Sequence, residues 1–81
     1  MKVLIVFEYV PEDTKVYLLD LEGKDLEKAR KAHGVYVCCS KNDKAAAWLE
    51  SFLSDKETIK IKAGKPIELD AELLIHSGFM L

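Results

Sequence analysis

The first ten residues, MKVLIVFEYV, constrain the fold more than any other stretch of the chain. Successive side chains of a strand point to opposite faces, so Val3, Ile5, Phe7 and Tyr9 share one side while Leu4, Val6 and Val10 share the other. A strand apolar on both sides belongs inside a sheet or beneath covering layers. The chain must therefore supply further strands and something to cover them. Its 81 residues make one domain at most, residues 1–81. Hydrophobic residues at 49% beside 32% charged ones give a globular composition, with enough apolar material for a core.

PEDT follows as a turn, with Pro11 pre-set for its second position and Asp13 suited to close it. KVYLLDL is then the return strand of a hairpin. With residues 11–14 as the loop, Val10 faces Lys15 and Tyr9 faces Val16, and the one flaw of that register is Asp20 beside Ile5. GKDLEKARKAHG predicts a short helix ended by Gly34, with Leu26, Ala29, Ala32 and His33 as its inward stripe. VYVCC is apolar throughout and β-branched, a strand, and SKND offers Ser40 and Asp43 as a capping box. In KAAAWLESFLSD, Trp48, Phe52, Ala45, Leu49, Leu53 and Ala46 fall within one arc of about 160°. Trp48, Leu49, Phe52 and Leu53 are therefore the expected core anchors. ETIKIK alternates as a strand, AGKP turns, and IELDAELLIHSGFML supplies one or two strands more, with a bulge or bend at Gly78. The order β-β-α-β-α-β-β predicts an α+β fold. It is a two-layer sandwich in which two helices cover one face of a mixed, mainly antiparallel sheet of about five strands.

Charge narrows the function classes. Twelve basic residues against fourteen acidic ones leave −2, which argues against a general affinity for nucleic acid. Lys24, Lys28, Arg30 and Lys31 make the outer side of the first helix basic, but Glu22, Asp25 and Glu27 dilute it, and no interleaved aromatic is evident. A solvated face is the expectation there. Apolar runs of about five residues fall far short of the ~20 that a membrane helix needs. The first residues lack the long apolar region and cleavage site of a signal peptide. Two adjacent cysteines make no disulfide framework. A soluble, cytoplasmic protein with no membrane contact is expected.

The candidate chemistry is sparse. Cys38 and Cys39 point to opposite faces of a strand and match no zinc spacing. His33, five residues before Cys38, could activate a thiolate, which makes a small thiol-dependent enzyme using Cys38 or Cys39 with His33 the alternative function. Cysteine also commonly just fills a core, and His33 at a helix C-terminus is favoured by the dipole without any catalytic purpose. His76 and Ser77 are adjacent but lack a G-x-S-x-G elbow, so His76 reads as a strand residue facing solvent. The four glycines are scattered at 23, 34, 64 and 78, and none forms a phosphate loop. No metal site and no cofactor are expected. Glu68, Asp70 and Glu72 alternate with Ile67, Leu69 and Ala71, which on a strand makes a carboxylate row spaced by about 6.5–7 Å. Such a row is either a solvated face that discourages aggregation or an acidic ridge for a basic partner.

Three stretches, FEYVPEDTKVYLL, AHGVYVCCSKNDKAAAWLESFL and LLIHSGFML, resemble small, uncharacterised accessory proteins of tailed bacteriophages. The resemblance carries no catalytic residue. It implies a non-enzymatic protein that binds a host protein and inhibits or redirects it. The expectation is thus a protein-binding module with Glu68, Asp70 and Glu72 as candidate contacts. The partner's identity and self-association are left open.

Overall fold

A computed structural model of the chain describes residues 1–10, 13–38, 43–60 and 71–80. Its elements run β1 (Lys2–Val10), β2 (Asp13–Asp20), α1 (Gly23–Lys31), β3 (Tyr36–Cys38), α2 (Lys44–Leu53) and β4 (Leu73–Met80). The strands form one mixed sheet in the order β2-β1-β4-β3. The strand that is apolar on both sides, β1, is central, between β2 and β4.

The α+β class holds, and the finer expectation does not. The described residues hold four strands, and residues 57–60 of the expected ETIKIK strand are not in one. Instead, Ile59 N–H donates a backbone bond to the Val16 carbonyl at 2.8 Å. Residues 61–70 lie outside the described residues. Nor is the sheet mainly antiparallel: β1–β2 is, but β1–β4 and β3–β4 are parallel. The reason lies in the connections. A tight hairpin joins β1 to β2, whereas β4 is reached only after two helices, and such crossovers return a strand parallel to its neighbour.

The hairpin register differs as well. Tyr9 faces Asp13 rather than Val16, and Phe7 faces Lys15. This pairing sets Val3 against Leu19 and Ile5 against Tyr17, so apolar side chains meet on one face. Asp20 moves from beside Ile5 to beside Lys2, where its Oδ1 accepts from the Met1 ammonium at 3.0 Å. The charge leaves the core, which is why this register wins.

Helix α1 begins at Gly23, at φ +57°, and its chain reverses through Gly34, at φ +75°, a left-handed conformation that glycine adopts cheaply. Ala29 and Ala32 are buried and Leu26 partly so, but His33 is exposed rather than part of the inward stripe. The helix has ended by then, and the turn swings His33 off the wheel. Helix α2 starts at Asp43, whose Oδ1 accepts from Ala45 N–H at 2.9 Å and Ala46 N–H at 3.1 Å. Asp43 is therefore the N-cap itself, not the third residue of a box opened by Ser40, which lies outside the described residues.

One core fills the space between the helices and the sheet. Val3, Ile5, Phe7, Tyr17, Ile75 and Phe79 meet Ala29, Ala32, Ala46, Leu49 and Leu53 there. The small alanines let both helices sit close to the sheet. On α2 the buried line is Ala46, Leu49 and Leu53, while Trp48 and Phe52 are only partly buried. The expected anchors are thus half right: the sheet meets the middle of the apolar arc and leaves its aromatic flank at the rim.

Candidate interaction surface

The helices cover one face of the sheet, and the even-numbered residues of β1 point to the other. The pairings order that second face into rows. Leu4 lies between Leu18 and Leu74, and Val6 between Val16 and His76. Glu8 lies between Thr14 and Gly78, with Tyr36 beyond the glycine. The face is thus apolar toward the start of β1 and polar toward its end. Leu74 is 53% and Tyr36 39% exposed, the two largest apolar exposures among the described residues. Leu4, Val6 and Leu18 are partly buried.

Gly78 shapes the polar end. A Cβ there would run into the backbone carbonyl of Glu8, so the glycine marks a close approach of β1 and β4 rather than the expected bulge or bend. Strand β4 runs through it without a break. Because Glu8 faces no side chain on the β4 side, it reaches diagonally to His76, with Oε1 2.9 Å from Nε2. The buried Nε2 meets no hydrogen-bond geometry, so the contact is a close approach and not an aligned hydrogen bond. Tyr36 packs edge-on against the His76 ring at a centroid distance of 5.4 Å. Loss of hydration and, second, the Glu8 carboxylate raise the Tyr36 hydroxyl above its ordinary pKa of 10.0. His76 is therefore a strand residue on the outer face, as expected, but one held by two neighbours.

His33 also meets this strand. Its Nδ1 accepts the His76 backbone N–H at 3.3 Å, while the Gly34 N–H donates to the His76 carbonyl at 2.7 Å. Ser77, fully buried, donates its hydroxyl to the Val35 carbonyl at 3.0 Å and so has a structural partner. For a thiol reaction, a His33 engaged through Nδ1 would have to serve through Nε2. Cys38 closes β3, its side chain is outside what the structure describes, and Cys39 is outside the described residues.

Of the acidic row, Glu68 and Asp70 lie outside the described residues. Glu72 is exposed at the entrance to β4, where its N–H donates to the Lys2 carbonyl at 2.8 Å. There it lines a shallow hollow of about 310 Å³ with Met1, Lys2, Asp20 and Glu22. Its described acidic neighbours come from the end of β2 and the β2–α1 connection, which the β4 sequence gives no sign of. The Met1 ammonium bridges two of them, at 3.0 Å to Asp20 and 3.1 Å to Glu22.

A larger groove of about 630 Å³ opens on the helix side, between the end of the hairpin and the end of α2. Phe7, Tyr9 and Tyr17 line it, with Lys15 and Lys56 offset by Glu50 and Glu57. Burial, and then a hydrogen bond to Glu50, push the Tyr9 hydroxyl well above its usual pKa. Neither charge sign dominates this groove. Among the described residues no cluster of three or more His, Cys, Asp or Glu is placed to hold a metal ion. No helix among them is long and apolar enough to cross a membrane.

Sequence reasoning missed the open face, although its signal was present. Two short helices can cover one side of a four-stranded sheet, so a strand apolar on both sides leaves apolar surface on the other. No protein-family model, curated protein or solved structure matches this chain.

Proposed function

We propose that this protein acts by contact, as a non-enzymatic protein-binding module that takes hold of its partner through the open sheet face. The observation that carries the reading is the exposure of Leu74 beside Leu4 and Leu18, with exposed Tyr36 beyond His76 on the same face, opposite the helices. Contiguous exposed apolar surface on a small protein is the informative deviation, since scattered apolar residues need no explanation. Tyrosine is a favoured anchor in protein interfaces, and here the Glu8–His76 pair gives the apolar rows a polar margin. The partner this fits is a protein with an apolar patch and a polar rim. The resemblance to phage accessory proteins supports a host protein as that partner, inhibited or redirected by being bound. Glu72, at the edge near Lys2, would act on encounter rate more than on the lifetime of the complex.

The test is a photo-crosslinking amino acid placed at position 74, with position 27 on the exposed side of α1 as control. A discrete adduct with another protein from position 74 and none from 27 is the expected result. Adducts only between copies of this chain would replace the host partner with self-association. Equal labelling from both positions would remove the open face as the contact surface.

A further inference from the structure

We propose that the groove between the end of the hairpin and the end of α2 is a binding site for a neutral sugar of one or two rings. Its volume of about 630 Å³ lies within the roughly 300–1,000 Å³ usual for small-molecule sites. The feature that asks for a ligand is Tyr17. This residue lines the groove and is only 5% exposed, yet its hydroxyl has no hydrogen-bond partner among the described residues and opens into the groove. Burial, and second the Asp13 carboxylate, keep that hydroxyl protonated by raising it above its ordinary pKa of 10.0. It is a donor without a receiver, a group that lowers stability unless water or a ligand accepts from it.

Charge selects an uncharged occupant. Of the four charged groups on the walls, two are committed: Glu50 to the Tyr9 hydroxyl, and Lys56 to Asp55 at 3.1 Å and the Phe52 ring at 4.7 Å. Lys15 and Glu57 remain, exposed, of opposite sign and without an ion pair among the described residues. A ligand of either net charge would be drawn by one and repelled by the other. The walls then choose between uncharged classes. Phe7 and Leu53 are 2% and 3% exposed, and the half-buried Tyr9 ring already meets Phe7 at 5.2 Å and Phe79 at 6.1 Å. The rings are engaged with one another, which leaves a flat aromatic ligand little to stack on. The reachable groups are polar and of both kinds. Lys15 and Tyr17 donate, Glu57 accepts, and Ser54, whose hydroxyl donates to the Ser51 carbonyl at 2.7 Å, is left to accept. A sugar hydroxyl donates and accepts at once, so a molecule carrying several of them suits interspersed donors and acceptors.

The groove lies on the helix side and the open face on the other, so the two readings fail separately. Ring signals of Tyr9 and Tyr17 in nuclear magnetic resonance spectra report the site. The probes are maltose, cellobiose and lactose as neutral disaccharides, glucose 6-phosphate as a charged sugar, leucine as a zwitterion and phenol as an uncharged aromatic. A saturable shift with at least one disaccharide is expected, with an affinity unchanged between about 50 and 300 mM salt. Tyr17→Phe, which keeps the ring, should weaken that affinity about fivefold, the worth of one hydrogen bond. Glu57→Leu, at an exposed position, should do the same without touching the core, and decides alone should Tyr17→Phe not fold. Leu74→Lys should leave binding unchanged. No saturable shift with any of the three disaccharides would overturn the proposal, as would tighter binding of phenol, leucine or glucose 6-phosphate than of every disaccharide. Full affinity in a folded Tyr17→Phe protein, or loss of binding in Leu74→Lys, would do the same.

Discussion

Gly78 lies so close to Glu8 that a methyl group on it would collide with the Glu8 carbonyl carbon and oxygen. The contact joins β4 to the central strand at mid-sheet, where neither backbone can retreat without breaking the parallel ladder. Gly78→Ala should therefore destabilise the protein by about 3 kcal/mol, the upper end of the usual overpacking cost. Urea denaturation measures it, and a midpoint equal to the parent's would show that the strands can part.

The core of α2 makes a comparative prediction. Leu49 is fully buried, and Leu49→Ala should cost about 2–5 kcal/mol. Trp48, at the rim, should cost less when truncated than the ~3–5 kcal/mol of a fully buried aromatic. Both variants can be compared in one series of urea titrations. A greater loss for Trp48→Ala than for Leu49→Ala would return the tryptophan to the centre of the core.

Asp43 accepts two backbone N–H groups at the start of the same helix. Asp43→Ala should cost about 1 kcal/mol, and Asp43→Asn much less, since the amide oxygen can still accept. Equal losses for the two would assign the effect to the carboxylate charge near the helix dipole instead of to the cap.

High pH should weaken the fold through its tyrosines. Tyr9 and Tyr17 are raised above 10.0, chiefly by burial, with Glu50 adding to the shift at Tyr9 and Asp13 at Tyr17. Between the unfolded and folded values the native state holds more protons than the unfolded chain. Stability is then full below pH 10 and falls as pH rises further. Absorbance at 295 nm should show delayed ionisation in the native protein, and Tyr9→Phe should flatten the alkaline loss of stability. An unchanged slope in that variant would clear Tyr9 of the effect.

His33 holds the His76 N–H at the edge of β4 through its Nδ1. His33→Ala should speed exchange of the His76 amide hydrogen while leaving that of Ile75, inside the sheet, near its parent rate. Unchanged protection at His76 would mean that the imidazole is not its acceptor.

What the sequence determined by itself were most of the elements and their local stops, with the expected strand at residues 57–60 the exception. Alternation from Lys2 to Val10, the helical spacing of Ala46, Leu49 and Leu53, and Gly34 as the end of a helical turn are all set by neighbours within a few residues. For β1 the sequence left a central or a covered place, and the strand order makes it central. Tertiary structure decided the rest. Whether Asp20 meets Ile5 or Lys2 depends on which register buries more apolar surface across the whole hairpin, and no local signal measures that sum. Whether Trp48 or Leu49 faces the sheet depends on how far the alanines of two helices let them settle, since only the middle of a wide arc can touch a flat surface. The open face and the pairing of Glu8 with His76 arise only once β4 lies parallel to β1, which brings together residues almost a chain length apart. Local preference is short-ranged, whereas burial is a property of the assembled layers, and the candidate surfaces belong to the second.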